Sequence, residues 1–137
     1  MTAEDLARRH AQAFDGTSRP WSAEDITTLL ASAHVHLIDT GHAFALLRVV
    51  ANEAEILTLA TDPAHRRQGL ARALLETLIS RARTEAADTL FLEVSDTNHP
   101  ARALYAAAGF REVARRSNYY RAPQGHRTDA LILSKSL

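Results

Sequence analysis

Cysteine is absent from the 137 residues. That excludes disulfides, thiolate metal sites and a cysteinyl acyl-enzyme. A charge excess is absent too, since 16 basic residues balance 16 acidic ones. Without a basic field to hold a phosphate backbone, direct nucleic-acid binding is not expected. No run approaches the ~20 apolar residues of a transmembrane helix, so no membrane partner is expected. The opening Met1-Thr2-Ala3-Glu4-Asp5-Leu6 is acidic and lacks an apolar core, so it does not read as a signal peptide. A cytoplasmic location follows as the expectation. Repeats, low-complexity tracts and linkers are also missing, and the length fits one domain over 1–137.

What is present is periodicity. Leu6, His10, Ala13 and Phe14 recur at helical spacing within Ala3 to Phe14. The stretch Asp15 to Pro20 has loop chemistry, and Ser22 is placed to cap a second helix over Ala23 to Ala33. The period then changes. His34 to Asp39, Ala43 to Ala51 and Ala54 to Thr61 are rich in Val, Leu, Ile and Thr, broken by Gly41 and Asn52-Glu53. They predict an antiparallel run of three strands. Leu70, Leu74, Leu78, Ala82 and Ala86 mark a long helix over Leu70 to Ala87, with Arg72/Glu76 and Arg81/Glu85 as i,i+4 pairs on its polar face. Thr89 to Val94 reads as a strand. Asn98 caps a further helix with Pro100 in its first turn, closed by Gly109. Phe110 to Tyr120 and Thr128 to Ser134 read as two last strands around a polar loop over Arg121 to His126. The order ααβββαβαββ predicts an α/β fold with a mixed sheet.

Three places carry chemistry. In Asp62-Pro63-Ala64-His65-Arg66-Arg67-Gln68-Gly69-Leu70-Ala71-Arg72 a strand gives way to the long helix. The first helical turn offers unpaired N–H groups and the positive dipole end. Gly69 lets an anion approach the backbone, and Arg66, Arg67 and Arg72 add charge, which together suit a pyrophosphate. Taken alone, Arg66-x-x-Gly69-x-Ala71 is equally a helix start with an incidental glycine and solvated arginines. Glu93 lies inside Leu90-Phe91-Leu92-Glu93-Val94, where alternation puts Phe91, Glu93 and Ser95 on one face. It reads either as a buried, chemically strained carboxylate or as a solvated one on a half-exposed face. Tyr105 shares an apolar helix face with Ala101, Leu104 and Ala108, so it is core or a buried hydroxyl awaiting a partner. His34 and His36 share a strand face but have no third ligand at matching spacing, so no metal is expected. No serine sits on a nucleophile-elbow pattern.

In order, these features run as the strand Ile56 to Thr61, Arg66-x-x-Gly69-x-Ala71, the long helix, Leu92-Glu93-Val94, Asn98, Ala103-Leu104-Tyr105 and Gly109-Phe110. The ordered set resembles the GNAT superfamily of N-acetyltransferases across nearly the full chain. Within it, Pro20-Trp21-Ser22, Arg67-Gln68-Gly69-Leu70-Ala71-Arg72, Leu92-Glu93-Val94, Asn118-Tyr119-Tyr120 and Asp129-Ala130 are most similar to the ribosomal-protein alanine N-acetyltransferases.

The resemblance implies the GNAT fold and acetyl-CoA as co-substrate. It implies that Leu59, Ala60 and Thr61 offer backbone groups to the acetyl-pantetheine arm in a splay between two strands. Arg67, Gln68, Gly69, Leu70, Ala71 and Arg72 would hold the pyrophosphate, and Asn98 would contact coenzyme A. Glu93 would be the general base and Tyr105 the general acid. The implied acceptor is a protein N-terminus, the alanine of a ribosomal protein. The sequence departs from the family pattern in three places: the usual first strand is missing, Ser95-Asp96-Thr97 stands where an arginine is expected after Val94, and Ser117 is inserted before Asn118. Other readings of the same scaffold are acetylation of a small-molecule amine or a protein lysine, and a silent acyl-CoA-binding module. A silent module has no use for both Glu93 and Tyr105.

Overall fold

The computed structural model describes residues 2–13, 21–121 and 125–137. Its elements are α1 (Ala3–Ala13), α2 (Ala23–Leu30), β1 (Val35–Asp39), β2 (Ala43–Val50), β3 (Glu53–Thr61), a 3-10 turn (Pro63–His65), α3 (Leu70–Thr84), β4 (Thr89–Ser95), α4 (His99–Ala107), β5 (Arg111–Arg121) and β6 (Arg127–Ser136). The predicted order ααβββαβαββ holds, and no strand precedes α1 among the described residues. Phe14, the Asp15 to Pro20 loop and residues 122–124 lie outside those described. No described helix is long and apolar enough to cross a membrane.

The six strands form one sheet in the order β1-β2-β3-β4-β6-β5. The first three are antiparallel, as their turns predict. β3 and β4 run parallel, with α3 crossing between them. Helix α3 seals one face. Leu74, Leu75, Leu78, Ile79 and Ala82 pack there with Ala45, Leu47, Ile56, Leu90, Leu92 and Leu131. Burying each large aliphatic side chain contributes about 1.5–3 kcal/mol, which makes this face the main source of stability. On the other face Leu6 of α1 and Ile26 of α2 pack with Phe44 and Ala60.

Local chemistry sets the boundaries. Ser22 and Asp25 form a reciprocal capping box that starts α2. Helix α3 ends at Thr84 instead of continuing to Ala87, because Ala86 adopts a left-handed φ of 63°. The apolar repeat continues through Ala87, which is buried, but as part of the turn into β4. Helix α2 stops at Leu30 for a similar reason: Ser32 and Ala33 already turn toward β1.

One irregularity shapes the centre of the molecule. In β2–β3 pairing, Leu46 faces Thr58 while Leu47 faces Ile56, so Leu57 is an extra residue. Such a bulge inverts the alternation of side chains beyond it. Ala54 and Ile56 face α3, whereas Thr58 meets His10 of α1 and Ala60 joins the α1 cluster. The parallel ladder between β3 and β4 also stops there, at Ile56 opposite Leu92.

Candidate active site

Beyond Ile56 and Leu92 the two strands have no mutual pairs, so a slot opens between residues 57–61 of β3 and 93–95 of β4. β3 keeps its partners on the β2 side, with Leu59 opposite Ala45, Ala60 opposite Phe44 and Thr61 opposite Ala43. Its outward backbone groups therefore face the slot without a ladder partner, and a slender chain can take their hydrogen bonds. Leu59, Ala60 and Thr61 lie along this edge.

The end of β3 leads through the 3-10 turn into Arg66 to Gly69 and the start of α3. Gly69 is the N-cap residue, at φ 76°, and no side chain caps the helix. A Cβ built at Gly69 would meet nothing within 4 Å, so open space lies over the first-turn N–H groups. Arg67 is exposed, at φ 63°, and has no ion-pair partner among the described residues. Arg66 donates to the Ala13 carbonyl at 2.7 Å and so braces α1 against this turn. Arg72 is held only loosely, 3.7 Å from Glu76. Open donors, a positive dipole end and uncommitted guanidinium groups fit a pyrophosphate.

Glu93 and Tyr105 lie on opposite sides of the sheet. Leu92 and Val94 point into the α3 core with Tyr105, and Glu93 between them points the other way. Of the two readings of Glu93, the structure gives the exposed carboxylate on an open face, paired with an arginine. Its face is open because α1 and α2 cover only part of it, and Arg116 Nη1 on β5 donates to its Oε1 at 3.2 Å. An open groove runs along this face beside Glu93, floored by Phe91 and Ile132 with Arg48 and Glu55 at its edge.

Tyr105 is 8% exposed and packs edge-to-face on Phe110, with ring centroids 5.7 Å apart. Burial pushes its hydroxyl pKa up to about 12. Ala101, Leu104 and Ala108 line the same core, as their spacing predicts. Asn98 caps α4, its Oδ1 accepting from the Ala101 N–H at 3.3 Å, which leaves its amide NH₂ for a ligand.

The acceptor side is shaped by a second bulge. Arg116 pairs with Ala130 and Tyr120 with Thr128, so Ser117, Asn118 and Tyr119 oppose Asp129 alone. Asn118 takes a left-handed φ of 54°, and Asp129 accepts its N–H at 2.9 Å and Arg115 Nη1 at 3.0 Å. The bulge turns the neighbouring Tyr119 and Tyr120 side chains toward one another. Their rings meet edge-to-face at 5.2 Å, and the Arg116 guanidinium lies 3.9 Å from the Tyr119 ring centroid. Burial, with the Glu93 charge adding to it, pushes the Tyr120 hydroxyl pKa to about 12. Arg116 is the residue sequence reasoning misses. It reaches Glu93 across the intervening β6, and the bulged register that allows this has no local signature.

The acetyltransferase (GNAT) family pattern matches residues 2–110. The chain belongs to this family. The [ribosomal protein bS18]-alanine N-acetyltransferase of Salmonella typhimurium is 47% identical over 92 residues, 67% of this chain and 62% of that enzyme. The Escherichia coli enzyme of the same name is 40% identical over 119 residues, 84% of this chain and 80% of that enzyme. The crystal structure of the E. coli ribosomal-protein-S18-alanine N-acetyltransferase superposes with a TM-score of 0.87 at 34% identity, covering 98% of this chain and 86% of that one. The match to the Salmonella relative thus spans less than two thirds of its length.

Proposed function

We propose that the protein transfers an acetyl group from acetyl-CoA to the N-terminal α-amine of a protein, with the alanine terminus of a ribosomal protein as acceptor. The observation carrying this reading is the slot between β3 and β4. It runs into an uncapped helix start at Gly69 and has Glu93 on one side of the sheet and Tyr105 on the other. Relatives named for acetylating the alanine terminus of bS18 support the choice of acceptor.

Bound acetyl-CoA would supply a thioester carbonyl for direct attack, since the chain has no cysteine to carry the acetyl group. Leu59, Ala60 and Thr61 would hold the pantetheine arm by their open backbone edge. An N–H near Ala60 would take the oxyanion charge. Arg67, Gln68, Gly69, Leu70, Ala71 and Arg72 would hold the pyrophosphate, and the Asn98 amide would reach the coenzyme near α4.

The amine arrives from the open face, where Glu93, Arg116, Tyr119 and Tyr120 cluster. It attacks only when neutral. With reference pKa values of about 8 for an α-amine and 10.4 for lysine, the α-amine is neutral roughly 250 times more often near pH 7. Glu93 takes the proton lost as the C–N bond forms, directly or through water. Tyr105 stays protonated at every pH near neutrality. Full transfer from a hydroxyl at about 12 to a thiolate near 8.5 would run uphill by about 5 kcal/mol. Tyr105 therefore serves as a hydrogen-bond donor to the sulfur while the C–S bond breaks. A cytoplasmic setting follows from a ribosomal substrate.

The test is acetyl-CoA turnover against a panel of N-terminal peptides, lysine peptides and polyamines. Preferential turnover of alanine-starting peptides is expected. Preference for polyamines would move the acceptor to small-molecule amines.

A further inference from the structure

His42 enters β2, Asp62 follows the end of β3 and His65 closes the 3-10 turn. Two segments, the entry of β2 and the turn after β3, thus bring two imidazoles and a carboxylate together. Their ligating atoms all lie within 4.8 Å of one another. The rings are stacked, with centroids 3.6 Å apart and planes 10° apart, and His42 Nδ1 is 3.6 Å from Asp62 Oδ2. His65 Nδ1 is shielded from solvent and has no hydrogen-bond partner. An unsatisfied buried polar atom costs about 1–3 kcal/mol, so a folded chain keeps one only for a reason.

The backbone and charges around the cluster are already fixed. Asp62 N–H donates to the His42 carbonyl at 2.8 Å, and His65 N–H to the Asp62 carbonyl at 2.9 Å. Asp62 Oδ1 takes Arg9 Nε at 3.5 Å, which orients the carboxylate and leaves Oδ2 toward His42. The Arg9 charge is itself matched by Asp39, which accepts from Nη1 at 3.0 Å and from Nη2 at 3.3 Å. Arg9 is thus shared between the Asp39 and Asp62 carboxylates.

We propose that His42, Asp62 and His65 bind a divalent transition-metal ion of the zinc type. Two imidazoles and one carboxylate suit Zn²⁺, Co²⁺ or Ni²⁺, whereas Mg²⁺ and Ca²⁺ require oxygen donors. Three protein ligands leave a fourth position for water. Donors around tetrahedral zinc sit about 3.4 Å apart, so the widest separation in the cluster must contract by at most about 1.4 Å. Imidazole lone pairs lie in the ring plane, so the stacked rings must also fan open. The His42 side chain is 56% exposed, and its ring turns outward with little loss of packing. The ion would tie the entry of β2 to the turn leading into Arg66 to Gly69. The site lies apart from Glu93 and Tyr105 and does not depend on the transfer reaction.

The experiment is calorimetric titration of the full, tag-free, EDTA-treated chain with Zn²⁺, and separately with Mg²⁺, without acetyl-CoA. One equivalent of Zn²⁺ should bind and Mg²⁺ should not. His42→Ala and His65→Ala should each weaken Zn²⁺ binding by at least about tenfold, and His34→Ala should leave it unchanged. Zn²⁺ should raise the Tm of the parent chain and not of the two site variants. Circular dichroism checks folding, and exposed His42 decides the matter if His65→Ala does not fold. No binding by the parent chain, or unchanged binding in His42→Ala, overturns the proposal. Because coenzyme is absent, either failure leaves the acetyltransferase reading untouched.

Discussion

Arg116 donates to Glu93 across β6 at 3.2 Å, and its guanidinium also stacks on Tyr119. The pair is solvent-exposed, so it adds little to stability. Its effect on the reaction should be larger, because it fixes the carboxylate that receives the amine proton. Arg116→Ala should lower kcat/KM for the acceptor by about tenfold and leave the acetyl-CoA Kd unchanged. Urea unfolding and steady-state kinetics on one preparation separate these effects. An unchanged kcat/KM would leave Arg116 as surface charge only.

Glu93→Gln and Tyr105→Phe should each reduce kcat by about 10²–10⁴. Tyr105→Phe carries an extra condition. Its hydroxyl has no hydrogen-bond partner among the described residues, so losing it should not lower the Tm. With the hydroxyl pKa at about 12, the pH–rate profile of Tyr105→Phe should run parallel to the parent from pH 6 to 10. A basic limb that disappears in this variant would show that Tyr105 ionises in the cycle.

Much of this arrangement is legible from residue order. The period switch near His34, the apolar repeat from Leu70 and the cap at Asn98 each give an element of the right type. Gly69 stands at the start of α3, and Leu59, Ala60 and Thr61 end β3 beside the slot. The misses share a cause. Ala86, an alanine at a left-handed φ, ends α3 without the glycine that would announce it. The bulges at Leu57 and at Ser117 to Tyr119 change which face a side chain takes, and alternation counts straight through them. Arg116, Tyr119 and Tyr120 therefore converge on Glu93 only in three dimensions, as do His42, Asp62 and His65.

Gly69→Val tests the coenzyme turn. A Cβ there meets no protein atom, so the folding cost is the left-handed backbone alone, about 1–2 kcal/mol. Acetyl-CoA affinity by calorimetry should fall much further, since the side chain fills the space over the helix N–H groups. A folded variant with parental affinity would place the pyrophosphate elsewhere.

His10 makes stability depend on acid. It is buried between α1 and the sheet, bonded to Thr58 Oγ1 at 3.1 Å and stacked on Trp21. Burial lowers its pKa from 6.5 to about 4. The unfolded chain therefore binds an extra proton between these values. The stabilisation from a neutral His10 is complete above pH 6.5 and is lost as pH falls toward 4. The loss at pH 5 is about 2 kcal/mol. Urea midpoints at pH 7 and pH 5 should converge for the parent chain and His10→Gln, which carries no titrating ring. A constant gap between them would contradict a neutral buried imidazole.

A chain terminus as acceptor, and not a lysine side chain, can be tested in one comparison. The direct measurement is kcat/KM for an alanine-starting ribosomal N-terminal peptide against the same peptide with its α-amine blocked and an internal lysine free. Turnover of the first should exceed the second by at least about 10²-fold, in line with their neutral-amine populations. Preferential turnover of the blocked peptide would contradict it.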